Sequence, residues 1–335
     1  MTVGILWALT AGLMLGLYAI PAKFTKDFAF ENTWGLFFML TMFVVPIVAT
    51  LVVMKGVGAV FSAVPAGTLG IMVGASVLWG IGVMMWSKAI HYIGVSLGFS
   101  LFIGTVILVG SVLPFFVDGV PPTDAFLTIL AGLAVVLVGL MANAKAGLLR
   151  EQDEADGGEA KSMGTGIAIA VVGGLLATGF SLANAVGRPP LHEASIAQGN
   201  PEWVTALAVM FPIFLSGGVI MAGYFGWQLT SKNAWGGFKT PHFGKNFGLI
   251  FVMAFFHYAA SAVFAYAAFL LGSVGNTVGY AIFNTASVAT AIVSGLVVGE
   301  WAKASPKAKQ MLYLGLGCMI VGIVIVALGN RLAMG

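Results

Sequence analysis

The stretch GSVGNTVGYAIFNTAS (272–287) indicates how the chain is built, because it partly repeats a stretch that occurs earlier in the sequence. The earlier stretch, GVSLGFSLFIGT (94–105), has glycines and aromatic rings at matching positions. Two aliphatic residues of the earlier copy correspond to Asn276 and Asn284, so the later copy offers hydrogen bonds where the earlier one offers only methyl groups. We therefore predict two related halves, with the later copy forming one wall of a binding site.

The composition places the chain in a membrane. Hydrophobic residues make up 59% of the 335 residues and charged residues only 8%, and the mean hydropathy is +1.02. A water-soluble domain of this size needs a more polar surface. Crossing the hydrocarbon layer takes about 20 apolar residues in a helix, and the runs lack the alternation of a transmembrane barrel. The sequence predicts ten transmembrane helices, at about 2–21, 33–54, 67–90, 95–117, 123–144, 163–184, 203–229, 245–270, 275–298 and 309–330.

The ten predicted helices divide into two sets of five, residues 1–145 and 163–335, joined by a hydrophilic segment at 146–162. Mixed charge with glycine is typical of a flexible linker. Because each half has an odd number of helices, the second half enters the membrane from the opposite side. The predicted fold class is an all-α membrane protein of two inverted five-helix repeats, and Pro46 and Pro212, at comparable depth in each half, agree with it.

The basic residues indicate the orientation. The connections after the odd-numbered helices contain twelve of the Lys and Arg residues, and the other side contains three. Loops rich in Lys and Arg stay in the cytoplasm, so both termini are predicted outside and the linker inside. The twelve are Lys23, Lys26, Lys88, Lys145, Arg150, Lys161, Lys232, Lys239, Lys245, Lys303, Lys307 and Lys309, and the three are Lys55, Arg188 and Arg331.

Several functional classes are disfavoured. The single Cys318 can form neither an intrachain disulfide nor a cysteine metal cluster. The segment GVSLG (94–98) matches the G-x-S-x-G pattern of hydrolases, but it lacks the strand, turn and catalytic partners that the pattern requires. We therefore expect no enzyme, no cofactor, no metal site and no nucleic-acid partner.

The distribution of charge suggests a neutral substrate. No Arg lies inside a predicted span to bind a phosphate or carboxylate, and no mid-helix Asp or Glu is present to hold a cationic drug. The hydroxyls of a sugar-like solute need amide partners, and its C–H face needs aromatic walls. The predicted substrate-binding residues are Tyr18, Trp79, Asn143, Asn184, Tyr258, Asn276, Tyr280 and Asn284. The alternative is that the asparagines only join helices through weak hydrogen bonds and that Trp79 only packs.

His257 is the candidate for proton coupling, because it is the only Asp, Glu, His, Lys or Arg that the predicted spans place near the bilayer centre. An ionisable group at that depth is a functional candidate by default. Histidine also suits a proton cycle, since its unperturbed pKa is about 6.5. Two alternatives stay open: a neutral imidazole that only bonds to a neighbouring helix, or a proton site on Glu31 or Glu193 at a cavity mouth.

A family resemblance is carried by YAIPAKFTKDFAFENTW (18–34), WGIGVMMWSKAIHYIGVSLGFSL (79–101), SLANAVGRPPLHEA (181–194) and the pair Glu300–Trp301. In the order and spacing of these motifs the chain resembles the L-rhamnose–proton symporters of the drug/metabolite transporter superfamily. The resemblance implies ten helices, a central sugar site and proton-driven uptake across a bacterial inner membrane.

The leading functional prediction is a secondary active transporter that imports a neutral monosaccharide, such as a rhamnose-like deoxyhexose, with protons by alternating access. One alternative is a facilitator or exporter of another neutral metabolite in the same superfamily, and the other is a membrane sensor without flux. The expected partners are the sugar, protons and the lipid bilayer. The sequence leaves open which sugar and which coupling ion are used, and whether glycine-lined faces such as 295–299 form a homodimer.

The orientation can be tested by thiol labelling. If both termini are periplasmic, a cysteine introduced into the 146–162 linker should resist a membrane-impermeant maleimide applied to intact cells and react once the cells are permeabilised. A cysteine at position 333 should react in both conditions. Rapid labelling of the linker in intact cells, together with protection at 333, would reverse the orientation.

Overall fold

The computed structural model describes residues 2–113, 119–154, 163–272, 275–297, 299 and 301–334. Within these ranges the regular structure is helical, without any β-strand. Helices satisfy their own backbone hydrogen bonds, which is what a lipid environment requires. The prediction of an all-α membrane protein is thereby confirmed. Residues 155–162 of the predicted linker, Val298 and Glu300 lie outside the described residues.

The α-helices of the described ranges are α1 (Thr2–Leu17), α2 (Phe30–Met39), α3 (Val45–Val53), α4 (Val57–Ala63), α5 (Ala66–Val112), α6 (Thr123–Glu154), α7 (Met163–Ala177), α8 (Gly179–Ala197), α9 (Val204–Ser231), α10 (Phe243–Leu270), α11 (Tyr280–Val297) and α12 (Pro306–Met334). Short 3₁₀ helices occupy Ile20–Phe24 and Ala234–Phe238. Two segments are π-helical: Leu40–Val44 joins α2 to α3, and Gly275–Gly279 leads into α11.

Nine helical segments of the described ranges are long and apolar enough to cross a membrane. They correspond to nine of the ten predicted spans. The other prediction, 95–117, falls partly in α5, where Leu101–Val112 is an apolar but shorter piece, and partly in 114–118, outside the described residues.

α5 doubles back on itself. It contains 47 residues and would be about 70 Å long if it were straight, whereas the hydrocarbon layer is about 30 Å thick. Trp86 and Phe102 would be about 24 Å apart along a straight helix, yet the centroids of their rings lie 5.9 Å apart. The helical path therefore reverses between these two residues, so that α5 has two arms.

Two helices run further than predicted. α6 continues to Glu154, so residues 146–154 of the predicted linker are helical. α8 continues to Ala197, and Arg188 therefore lies within a helix where the prediction placed a connection. Hydropathy locates the end of the apolar sequence, but a helix can extend beyond the hydrocarbon as polar turns.

Close contacts between helices are made at glycines, as is common in membrane proteins. α7 touches both arms of α5: a Cβ atom at Gly173 would lie 3.0 Å from the Cβ of Met85, and one at the adjacent Gly174 would lie 2.7 Å from the Cβ of Thr105. α1 packs against α10 and α11, where a Cβ at Gly12 would lie 2.9 Å from a backbone oxygen of α11. α6 and α12 pack on each other beside this core.

The contact between α5 and α7 gives a test of this packing. A Cβ at Gly82 would collide with the carbonyl oxygen of Gly173 and lie 2.6 Å from the nitrogen of Ala177, whereas a Cβ at Gly74 of the same helix would meet nothing within 4 Å. Because overpacking costs roughly 1–3 kcal/mol, Gly82→Ala should lower the thermal unfolding temperature of the purified protein. Gly74→Ala is the matched control and should leave it unchanged or slightly higher. Equal behaviour of the two variants would contradict the close approach of α5 and α7.

Candidate functional site

A cavity of about 110 Å³ lies where α1, α5, α7, α8, α10 and α11 meet. By the same measure a single water molecule needs only about 10–15 Å³, so the space is larger than a site for one buried water. Both arms of α5 contribute to its wall. The lining residues are Leu15, Trp79, Val83, Phe102, Ile103, Val106, Ala177, Phe180, His257, Ser261, Tyr280, Phe283 and Asn284.

Four of the predicted site residues line this cavity together: Trp79, His257, Tyr280 and Asn284. They come from α5 and from the consecutive helices α10 and α11, which are far from α5 in the sequence. Tyr18 stands directly behind His257, with the two ring centroids 5.0 Å apart. The helix packing thus assembles a set of aromatic, amide and imidazole groups around one space.

Aromatic rings form much of the wall. The ring of Trp79 lies 5.3 Å from that of Phe180 and 5.4 Å from that of Phe214. Phe180 in turn stacks on Tyr280, with an interplanar angle of 24° and a centroid separation of 6.2 Å. Such surfaces suit the apolar C–H face of a small ligand, because aromatic rings offer a large area of contact at fixed geometry.

His257 is held by a hydroxyl group. Its Nδ1 atom lies 3.0 Å from the Oγ1 of Thr41, and the same oxygen lies 3.2 Å from the carbonyl oxygen of Ala254. Two aromatic rings pack against the imidazole in T-shaped geometry, with centroid separations of 5.3 Å to Phe37 and 5.7 Å to Phe214.

Two other polar side chains of the lining donate hydrogen bonds to backbone carbonyls four residues earlier in the chain. The amide nitrogen of Asn284 donates to the carbonyl oxygen of Tyr280 at 2.9 Å, and the hydroxyl of Ser261 donates to the carbonyl oxygen of His257 at 3.2 Å. Among the described residues that line the cavity, His257 is the one histidine, and none is an Asp, Glu, Lys or Arg. The wall therefore carries no fixed charge to attract an anionic or a cationic ligand.

Asn184 and Asn276 meet each other and do not line the cavity. The Nδ2 of Asn184 on α8 donates to the Oδ1 of Asn276 in the π-helical segment at 2.5 Å, and both residues are fully buried. The Oδ1 of Asn184 has no protein partner. The two side chains thus form an interhelical hydrogen bond, and their roles in substrate binding stay predictions.

Asn143 and Tyr258 also lie outside the lining. Asn143 is buried between α6 and α12, where its Nδ2 lies 3.4 Å from the sulfur of Met319. Tyr258 is buried and packs edge-on against Phe214, with ring centroids 5.0 Å apart. Their roles in substrate binding stay predictions.

The two glutamates considered for coupling occupy the ends of helices. Glu31, in the first turn of α2, forms an ion pair with Lys232 at the end of α9. Glu193 is exposed on α8. In the described ranges no group of three or more His, Cys, Asp or Glu is arranged to bind a metal ion.

A second cavity of about 250 Å³ is lined by Arg188, Pro189, His192, Phe269 and Gly272. Arg188 donates to the carbonyl oxygen of Ala268 at 3.0 Å. The predicted site residues lie elsewhere, so the cavity beside His257 is the better candidate for the functional site.

Sequence reasoning missed several residues of this site. Phe102 was recoverable, because it matches Phe283 in the internal repeat and both line the cavity. Phe180 and Ser261 carry no signal that separates a lining residue from a packing one. Thr41 is far from His257 in the sequence, and nothing in the local pattern pairs them.

The chain is similar to a family of known proteins over nearly its whole length. The family L-rhamnose-proton symport protein (RhaT) matches residues 1–333. A relative named L-rhamnose-proton symporter from Escherichia coli (strain 55989 / EAEC) is 25% identical, over 98% of each chain. The protein of the same name from Cronobacter sakazakii (strain ATCC BAA-894) is 26% identical, over 98% of this chain and 97% of the relative. Since the match extends over almost the whole length, the chain belongs to the L-rhamnose-proton symport protein family.

Proposed function

We propose that this protein is a secondary active transporter that imports a neutral monosaccharide, such as a rhamnose-like deoxyhexose, together with protons. The observation that carries the proposal is a cavity walled by aromatic rings and the amide of Asn284, in which His257 is the one histidine among the described lining residues and no Asp, Glu, Lys or Arg is present. A neutral, polyhydroxylated ring fits such a wall better than a charged ligand does. Membership of the family, and the name shared by the relatives, support both the sugar and the proton.

The transport cycle that we propose is alternating access between two inverted five-helix repeats, residues 1–145 and 163–335. The matching positions of the internal repeat support this relation, because Phe102 and Phe283 both line the cavity, and so do Ile103 and Asn284. Equivalent residues from the two halves thus face the same space. Secondary transporters of this design bind their substrate at the interface of the repeats.

The pattern of helix packing gives independent support. The first helix of the first half, α1, packs against α10 and α11 of the second half, and the first helix of the second half, α7, packs against the two arms of α5 in the first. The first helix of each half thus makes equivalent contacts with the other half, which is expected if a two-fold axis relates the two halves. Counting the two arms of α5 as separate spans gives the ten helices of the proposed fold.

We place the protein in a bacterial inner membrane with both termini in the periplasm. Two of the basic connections that this orientation puts in the cytoplasm contact each other, the one after the first predicted helix and the one after the seventh. Glu31 pairs with Lys232, and the backbone N–H of Lys26 donates to the Oδ1 of Asn246 at 3.1 Å. These contacts support a common side for the two connections, as the count of basic residues requires.

Proton coupling is assigned to His257 in preference to Glu31 and Glu193. A coupling residue must sense the substrate, and His257 lines the cavity, whereas Glu31 is engaged by Lys232. A protonated imidazole donates a hydrogen bond to a sugar oxygen, so a bound proton favours the sugar. By thermodynamic linkage a bound sugar then favours the proton to the same extent.

The substrate class can be tested by ligand stabilisation of the purified protein. A neutral deoxyhexose should raise the unfolding temperature in a dose-dependent way, because a ligand at about 100 times its Kd stabilises the folded state by about 2.7 kcal/mol. A sugar phosphate and a cationic dye serve as controls and should have no effect, since the cavity wall carries no fixed charge. Stabilisation by either control, but by no neutral sugar, would contradict the proposed substrate class.

The coupling role can be tested with His257→Gln. Glutamine keeps hydrogen-bonding groups at the site but does not titrate, so the variant should retain exchange of labelled sugar down a sugar gradient in proteoliposomes. It should lose the accumulation of sugar that a pH gradient drives. His242→Gln is the matched control, because His242 is partly exposed beside Asp27, away from the cavity.

Normal accumulation by His257→Gln under a pH gradient alone would exclude His257 as the coupling residue and make Glu31 and Glu193 the next candidates. Transport by the unmodified protein distinguishes the proposed symporter from a facilitator and from a sensor. Flux that ignores the pH gradient would indicate a facilitator, and the absence of flux would indicate a sensor.

A further inference from the structure

Thr41 lies on a helical segment next to α10 and contacts two groups of α10. It lies in the π-helical segment Leu40–Val44 and is fully buried. Its Oγ1 is 3.0 Å from the Nδ1 of His257 and 3.2 Å from the carbonyl oxygen of Ala254. One hydroxyl group therefore serves both the imidazole and the backbone of the helix that carries it.

The hydrogen atoms can be assigned from these two contacts. A carbonyl oxygen only accepts hydrogen bonds, and a hydroxyl has a single hydrogen to donate. The hydroxyl of Thr41 therefore donates to the carbonyl of Ala254, which leaves its oxygen to accept from His257. Both contacts are satisfied only if Nδ1 carries a hydrogen, so the neutral imidazole has its lone pair on Nε2.

Because Thr41 engages Nδ1, Nε2 is the ring nitrogen of His257 that is left for a ligand in the cavity that this residue lines. Three aromatic rings contact the imidazole: Tyr18, which directly follows α1, Phe37 from α2 and Phe214 from α9. Of these only Tyr18 is titratable, and Tyr280 is the further titratable group in the cavity wall. In the described ranges no carboxylate, lysine or arginine forms an ion pair or a hydrogen bond with the ring.

We propose that Thr41 is a positioning residue for proton coupling: it holds His257 as the Nδ1–H tautomer and so presents Nε2 to the cavity as the atom that takes and gives the proton. This inference rests on the coupling role proposed for His257. The hydrogen bond made by one ring nitrogen determines the state of the other, and here that bond is buried and comes from another helix.

The local backbone explains why Thr41 can reach His257. In the π-helical segment the N–H of Val45 donates to the carbonyl of Leu40, five residues earlier, which widens the turn and changes the direction of its side chains. Pro46 follows directly and has no N–H to donate. Single π turns of this kind are frequent at functional sites.

The tautomer can be observed directly in protein labelled with ¹⁵N-histidine. The signal of His257 is identified among the four histidines by its absence from His257→Gln. At a pH where the ring is neutral, the unmodified protein should show a protonated, pyrrole-type Nδ1 and an unprotonated, pyridine-type Nε2. In Thr41→Val, which replaces the hydroxyl by a methyl group of similar size, this preference should be lost. The opposite tautomer in the unmodified protein would overturn the proposal.

Transport provides the second measurement. Because Thr41→Val removes a buried hydrogen-bond partner, it should reduce sugar accumulation driven by a pH gradient by about tenfold. Exchange of sugar in the absence of a pH gradient should change much less, and the pH profile of uptake should shift. Thr41→Ser restores the hydroxyl and should restore both the tautomer and the accumulation.

The outcomes separate this inference from the proposed function. If the unmodified protein accumulates no sugar under a pH gradient, the proposed function fails, while the ¹⁵N spectrum still tests the tautomer. If the unmodified protein is coupled and Thr41→Val is coupled normally with an unchanged pH profile, the positioning role is wrong. Equal loss of exchange and accumulation in both Thr41→Val and Thr41→Ser would indicate a packing role only and would also overturn the proposal.

Discussion

Inside the hydrocarbon layer every backbone N–H and C=O group must find a partner within the protein, because no water is present to bind it. This constraint explains why the regular structure of the described ranges is helical. The two π-helical segments of those ranges each bring a polar side chain to another helix. Thr41 meets His257 from one of them, and Asn276 meets Asn184 from the other. The departures from regular helix therefore occur next to the polar groups at the centre of the protein.

Much of the fold could be predicted, because a membrane leaves few ways to arrange an apolar chain. Nine predicted spans correspond to helical segments of the described ranges that are long enough to cross. The reversal within α5 was predicted in the same way, because the sequence predicts a connection at 91–94 between the spans 67–90 and 95–117. The contact of Trp86 with Phe102 shows that the chain reverses between these two residues, although the helical backbone continues from Ala66 to Val112. Hydropathy does not predict a helix that continues beyond the apolar sequence, such as the continuation of α8 to Ala197.

Part of the candidate site could be predicted, where a residue type is unusual for its surroundings. His257, Trp79 and Asn284 could be selected because a polar or amphipathic side chain in an apolar span requires a hydrogen-bond partner or a cavity. In the structure these three residues line one cavity. The same argument also selected Asn143, which instead meets Met319 between α6 and α12. Composition identifies a buried polar group, but only the packing shows whether its partner is a cavity or another helix. Phenylalanine residues such as Phe180 give no such signal at all, because a ring that lines a cavity and a ring that fills a core are chemically identical.

The neutral wall of the cavity also determines how the protein would respond to membrane voltage. With no carboxylate among the described lining residues to balance it, a proton on His257 is an uncompensated unit charge inside the membrane. A charge that crosses the whole membrane gains about 2.3 kcal/mol for each 100 mV. In the proposed cycle a negative interior would pull the loaded site inward, whereas the empty, neutral site would return without opposing the field. The electrical potential would then act on the loaded half of the cycle alone.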